Sequence, residues 1–151
     1  MATLHISEVA RTNKTQRLFR QVARDTTGEN FDIPDDNKVF FAYESKAGCN
    51  RVLVGVACYL PATPSEGSYH FLNYIFIKPF HQRMGYGVSL LRKIEASMWS
   101  KSRRPIRVES ASKSVRFFGK NGYCCQGEVI QCVCGGSPLF SRLQVMEKPS
   151  R

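Results

Sequence analysis

The chain has 151 residues, a formal charge of +10, and 42% hydrophobic and 23% charged residues, a length and balance that suit one globular domain, residues 1–151, around a single core. No apolar run is long enough to cross a bilayer, which excludes a helical membrane protein. Met1–Arg11 alternates polar and apolar residues without an apolar signal core, so the expected location is cytoplasmic, with the nucleus open.

Thr3–Val9 reads as a short first strand. Asn13 is placed to cap a helix running to about Arg24, because Leu18, Phe19, Val22 and Ala23 recur at helical spacing. The segment Asp25–Asn37 then holds Asp25, Glu29, Asp32, Asp35 and Asp36 and no Lys or Arg, leaving the rest of the chain more basic still. Lys38–Glu44 resumes as a strand, turned at Lys46-Ala47-Gly48. Arg51–Leu60 is almost continuously apolar and rich in Val, as expected of a central strand buried on both faces.

Tyr69–Ile77 is an aromatic and β-branched strand ended by Lys78-Pro79, since proline cannot donate to a sheet ladder. Val88–Trp99 follows as a helix, with Leu91, Ile94 and Met98 on its core face. Pro105–Glu109 is a short strand, Ser112–Asn121 a helix closing at Gly122, and Tyr123–Val133 a strand. Gly135-Gly136-Ser137-Pro138 turns the chain, and Leu139–Met146 returns. The order β-α-β-β-β-α-β-α-β-β fits a mixed α/β fold, with a sheet of about seven strands and helices on both faces.

The six cysteines are expected to be free thiols in a reducing compartment. Cys124, Cys125, Cys132 and Cys134 invite a zinc reading, but their C-C-x6-C-x-C spacing lacks the C-x2-C knuckles of structural sites, and small hydrophobes in two late strands is the preferred account; no metal site is expected. The net charge favours a polyanionic partner, whether nucleotide cofactor, nucleic acid or acidic protein.

The chemistry concentrates in Ile75-Phe76-Ile77-Lys78-Pro79-Phe80-His81-Gln82-Arg83-Met84-Gly85-Tyr86-Gly87-Val88. A helix N-terminus leaves unpaired N–H groups and a partial positive charge, and glycine before it lets backbone approach a phosphate closely. Taken alone, Gly-x-Gly also fits an ordinary strand-to-helix turn. In context, Gln82-x-x-Gly85-x-Gly87 after a strand and proline resembles the R/Q-x-x-G-x-G/A signature of the GCN5-related N-acetyltransferases (GNAT). Phe117-Phe118-Gly119-Lys120-Asn121-Gly122-Tyr123 is similar to that family's F-Y-E-K-x-G-F segment, in the right order and spacing.

The resemblance implies a sheet splayed at its fourth and fifth strands, with acetyl-CoA as acyl donor in the opening. Backbone of Ile75, Phe76 and Ile77 would pair with pantetheine, while Gln82, Arg83, Met84, Gly85, Tyr86, Gly87 and Val88 would hold the pyrophosphate. Phe117 belongs to the same cofactor set, as do Lys113 and Lys120, which with Arg116 form a basic stripe that also fits a solvated helix face. It further implies departures. Phe118 stands where the family often has the tyrosine that protonates the CoA thiolate, Ala111 where it often has asparagine, and Asn73 where a carboxylate base is frequent. Tyr74, Glu109 and Ser110 are the remaining candidates for proton transfer.

The expected function is transfer of an acetyl group to a primary amine of a small molecule or peptide by direct attack. A catalytically weak or inactive CoA-binding regulatory module is the alternative. A nucleic-acid-binding domain is a third class, motivated by charge alone, because no RNP-type motif, zinc finger or clear helix-turn-helix is present. The acidic segment either draws a cationic acceptor or is a solvated loop, and the apolar last hairpin offers a surface for a second copy of the chain.

Overall fold

A computed structural model of the chain describes residues 2–46, 50–131 and 138–150. The strands are β1 (Ala2–Val9), β2 (Lys38–Lys46), β3 (Val52–Leu60), β4 (His70–Ile77), β5 (Ile106–Ala111), β6 (Cys124–Cys125), β7 (Ile130–Gln131) and β8 (Arg142–Lys148); the helices are α1 (Asn13–Thr27), α2 (Tyr86–Lys101) and α3 (Val115–Lys120). They form a mixed α/β fold on one sheet of order β1-β2-β3-β4-β5-β8-β6, with β7 also on β8. The pairs β1–β2, β2–β3 and β5–β8 are antiparallel and β4–β5 is parallel. The chain divides into two compact units, Met1–Leu60 with Asn73–Ser97, and Pro61–Leu72 with Met98–Arg151.

In the first unit, α1 starts one residue earlier than Asn13 suggests as a cap. Thr12 takes the cap position instead: its Oγ1 accepts from the Thr15 amide at 3.2 Å, and Thr15 Oγ1 accepts from the Thr12 amide at 2.7 Å. This reciprocal pair satisfies two groups that a helix start otherwise leaves open. The helix runs past Arg24 to Thr27 and ends at Gly28, whose φ of 79° supplies the left-handed stop.

The buried run Val54–Tyr59 of β3 confirms a central strand covered on both faces. Successive strand residues point to opposite faces. The Cys58 thiol bonds to the Tyr74 backbone, and burial pushes its pKa up. Tyr59, on the other face, places its hydroxyl 2.9 Å from Ser97 Oγ of α2. Phe19 of α1 meets the rings of Tyr74 and Phe76 edge-on. Each such buried large side chain contributes about 1.5–3 kcal/mol of burial free energy. Gly55 is required where β4 approaches β3, because a Cβ there would lie 2.5 Å from Ile77 Cδ1 and 3.2 Å from the Phe76 carbonyl oxygen.

In the second unit, the β4–β5 register covers only His70–Leu72 against Ile106–Val108. The buried His70 ring accepts from the Ala62 amide at Nδ1 and faces the Ser102 carbonyl at 2.8 Å through Nε2, so it is a structural bridge. Arg107 stacks over Tyr69 and bonds Glu147, its neighbour across the β5–β8 pair.

Three expectations change here. Ser112–Asn121 is a 3₁₀ turn, Ser112–Ser114, followed by the shorter α3. The single strand expected over Tyr123–Val133 is two short pieces, β6 and β7, with Gly127 at φ 69° in the intervening turn. Cys124 and Cys125, expected as small hydrophobes in a late strand, do form β6 but are exposed there. Cys132, Cys134, the Gly135–Ser137 part of the late turn and the Ala47–Gly48 part of the earlier one lie outside the described residues.

Candidate active site

The strand, loop and helix from Tyr74 to Trp99 form as the sequence requires. After β4 the chain makes a 3₁₀ turn at Pro79–His81, then crosses Gln82–Gly85 into α2. Arg83 adopts φ 65° and Gly85 φ 78°. Left-handed residues in a short loop turn successive N–H groups toward one side, a backbone geometry that binds anions. A Cβ on Gly85 would meet nothing within 4 Å, so the glycine is needed for its dihedral and for the bare approach it leaves. As the residue preceding α2 it also has no side chain to cap the helix. The Ser89 amide, at 3.1 Å from the Gly85 carbonyl, makes the first helical bond, so the amides of Tyr86, Gly87 and Val88 have no partner inside the helix.

Arg83 in that conformation costs about 1–2 kcal/mol, since an L side chain crowds its own carbonyl there. Such strain persists only where the surroundings over-determine it, and it gathers at functional loops. The surroundings here are polar: Gln82 Nε2 donates to the Ile77 carbonyl at 2.8 Å, and the Lys78 amide donates to the Val54 carbonyl at 2.8 Å. The bond gives Gln82 a structural role, and it engages one lone pair of the Ile77 carbonyl, expected to face pantetheine. Phe80 and Met84 are exposed, so the loop buries little apolar surface of its own.

Tyr74 and Phe76 stack at 5.5 Å between ring centres, and Phe31 covers both. Desolvation, with the nearby Cys58 and Asp32, raises the Tyr74 phenol above its ordinary value, so it stays protonated at neutral pH. Asn73 donates to the buried Asn37 side chain at 2.8 Å. The acidic segment around Phe31 is substantially neutralised: Asp32 pairs with Arg20 at 2.7 Å, Asp35 with Arg11 at 3.0 Å and Asp25 with Lys78 at 3.8 Å.

In the second unit, Glu109 is exposed on β5. Ser110 is buried and its Oγ donates to the Ala111 carbonyl at 2.9 Å, so the hydroxyl is already engaged. Ala111 is buried at the end of β5. Phe118 is 3% exposed and packs edge-on between Phe117 and Tyr123, at 5.2 and 5.3 Å. The ring therefore serves the core. Lys113 lies in the 3₁₀ turn while Arg116 and Lys120 lie on α3, so the basic stripe spans two elements; all three are exposed and none forms an ion pair among the described residues.

Sequence reasoning missed Glu44. Its carboxylate, on β2, accepts from the Tyr86 hydroxyl and lies 3.5 Å from His81 Nε2. Nothing in the local pattern of β2 marks it, because both partners lie about forty residues away.

No helix among the described residues is long and apolar enough to cross a membrane, and no cluster of metal-ligating side chains occurs among them. The sequence profile of the acetyltransferase (GNAT) family matches residues 7–123. No curated protein matches the sequence. Solved structures share the fold at low identity. A GNAT-family protein from Desulfovibrio desulfuricans superposes with a TM-score of 0.73 at 17% identity, over 97% of this chain and 99% of its own. The ribosomal-protein-S18-alanine N-acetyltransferase of Escherichia coli gives 0.74 at 11%, over 98% and 94%. A chain of the NatC complex bound to Gag peptide and CoA gives 0.74 at 9%, over 98% and 99%.

Proposed function

The chain belongs to the acetyltransferase (GNAT) family, and from that premise we propose that it transfers an acetyl group from acetyl-CoA to a primary amine of a small molecule or peptide. The observation that carries this reading is the Gln82–Gly85 loop, with left-handed Arg83 and Gly85 leading into the first amides of α2. The pyrophosphate sits on those amides, with Gln82, Arg83, Met84, Gly85, Tyr86, Gly87 and Val88 around it. Backbone of Ile75, Phe76 and Ile77, past the end of the β4–β5 register, pairs with pantetheine as an added strand would. In the second unit, Phe117, Lys113, Arg116 and Lys120 are further candidate cofactor residues, the cations suited to the charged end of CoA.

The amine attacks the thioester carbonyl directly; the C–S bond breaks as the C–N bond forms, the amine loses a proton and the thiolate leaves. Holding both reactants in place supplies much of the rate. Tyr74, protonated at neutral pH, suits the role of acid toward the leaving thiolate, and the exposed Glu109 that of base, directly or through water. Ser110 is the weakest of the three candidates, since its hydroxyl already has a partner. Asp25, Asp32 and Asp35 are paired with Lys78, Arg20 and Arg11, so the acidic segment supports a cationic acceptor less than its composition alone does.

The test is incubation with acetyl-CoA and a panel of small amines, polyamines and peptides, following CoA thiol release together with the mass of the acetylated acceptor. Turnover with at least one acceptor supports the enzyme. Phe118, Ala111 and Asn73 favour a second reading, a CoA-binding module of low activity; saturable acetyl-CoA binding with no acceptor consumed across the panel selects it.

A further inference from the structure

Glu44 is 6% exposed on β2, and no Lys or Arg pairs with it among the described residues. A carboxylate taken out of water without a cation needs strong hydrogen-bond donors to hold it. Its partners are His81, the last residue of the 3₁₀ turn before the phosphate loop, and Tyr86, the first residue of α2 after it. One side chain from a different strand thus bonds Tyr86 at one end of the four-residue span that contains Arg83 and Gly85, and lies 3.5 Å from His81 Nε2 at the other. Beside the Gln82 bond to the Ile77 carbonyl, apolar packing does little to fix the loop: Phe80 is 96% exposed and Met84 51%. Polar ties therefore set its position, because few apolar contacts oppose the entropy of the open chain. The bond to Glu44 also holds the Tyr86 phenol above its usual range, so Tyr86 remains a donor.

We propose that Glu44 is a positioning residue for the phosphate loop, acting through Tyr86 and His81 to hold the loop amides in the geometry that binds the pyrophosphate of acetyl-CoA. The inference rests on the acetyl-CoA reading above. Glu44 itself does not touch the cofactor, and its negative charge opposes that of the pyrophosphate, so its contribution is geometric. The amide of Glu44→Gln keeps an oxygen that accepts the Tyr86 proton and drops the charge, whereas Glu44→Ala removes the tie.

The experiment measures Kd for acetyl-CoA and for S-acetylpantetheine, which lacks the pyrophosphate, in the wild-type chain, Glu44→Ala, Glu44→Gln, Tyr86→Phe and the double variant Glu44→Ala with Tyr86→Phe. Glu44→Ala and Tyr86→Phe are each expected to weaken acetyl-CoA by about tenfold or more, the scale of a hydrogen bond to a charged group. The double variant is expected to lose far less than the product of the single losses, as coupled partners do. Glu44→Gln stays within roughly threefold of wild type, and S-acetylpantetheine affinity is unchanged throughout. Equal losses for both ligands, additive losses, or a Glu44→Gln as weak as Glu44→Ala would overturn the inference while leaving the cofactor reading intact. A wild-type chain that binds no acetyl-CoA would overturn both. Should Glu44→Ala not fold, Tyr86→Phe and Glu44→Gln still decide the matter, since each retains most of the native packing.

Discussion

The loop from β4 into α2 and the segment from β5 through α3 both turn a strand into a helix, yet they use their residues differently. The first works through backbone: left-handed Arg83 and Gly85 and the bare start of α2 shape a row of N–H groups, and side chains such as Gln82 and Tyr86 tie the loop down. The second works through side chains, and those are engaged in packing: Phe118 lies between Phe117 and Tyr123, Ala111 is buried, and Ser110 bonds its neighbour's carbonyl. Backbone sites need only glycine and a fold to survive, whereas proton transfer needs particular side chains in reach. The comparison teaches that the first segment is shaped by backbone geometry at Arg83 and Gly85, while the side chains of the second are committed to packing and local hydrogen bonds.

The sharpest way to break the comparison is at Gly85. Gly85→Val puts a β-branched residue at φ 78° and a side chain where the proposed phosphate would lie. The thermal stabilisation by acetyl-CoA, which at a hundredfold excess over Kd amounts to about 2.7 kcal/mol, is expected to vanish. A variant stabilised as much as wild type would show that phosphate does not use this backbone.

An effect of similar size in free energy is expected where side chains act. Tyr74→Phe or Glu109→Gln should lower turnover about a hundredfold if that residue transfers the proton. Full turnover in both variants would assign proton transfer to water. Phe118→Tyr tests the neighbouring position: the added hydroxyl enters a packed site and should destabilise the chain by about 1–3 kcal/mol without raising turnover. A gain in rate would show that the position still faces the chemistry. The smallest expected change is at Arg83, where Arg83→Gly relieves the left-handed side chain and should raise stability by roughly 1 kcal/mol, read from the denaturation midpoint. A loss of stability would mean that the side chain contributes more than its dihedral costs.

Much of this was legible because it is local. The buried run of β3, the proline ending β4 and the Gly85–Gly87 pair mark their elements without reference to distant residues. The Thr12–Thr15 capping box lay one residue before the apparent cap and is written only in reciprocal hydrogen bonds. The break between β6 and β7 turns on Gly127, whose positive φ the strand-like composition around it conceals. The link from Glu44 to Tyr86 and the pairing of the acidic segment with Arg11, Arg20 and Lys78 depend on tertiary placement, which no spacing rule conveys. Phe118 was visible as a departure, but only its packing explains what the ring does instead.

Whether the β4–α2 loop binds acetyl-CoA through its backbone is decided by calorimetric titration of the wild-type chain with acetyl-CoA. Saturable binding of one acetyl-CoA per chain is expected, weakening as salt is raised, since opposite charges at a partly exposed site are screened. Absence of binding up to about 1 mM, the top of the ordinary range of Michaelis constants, would contradict it.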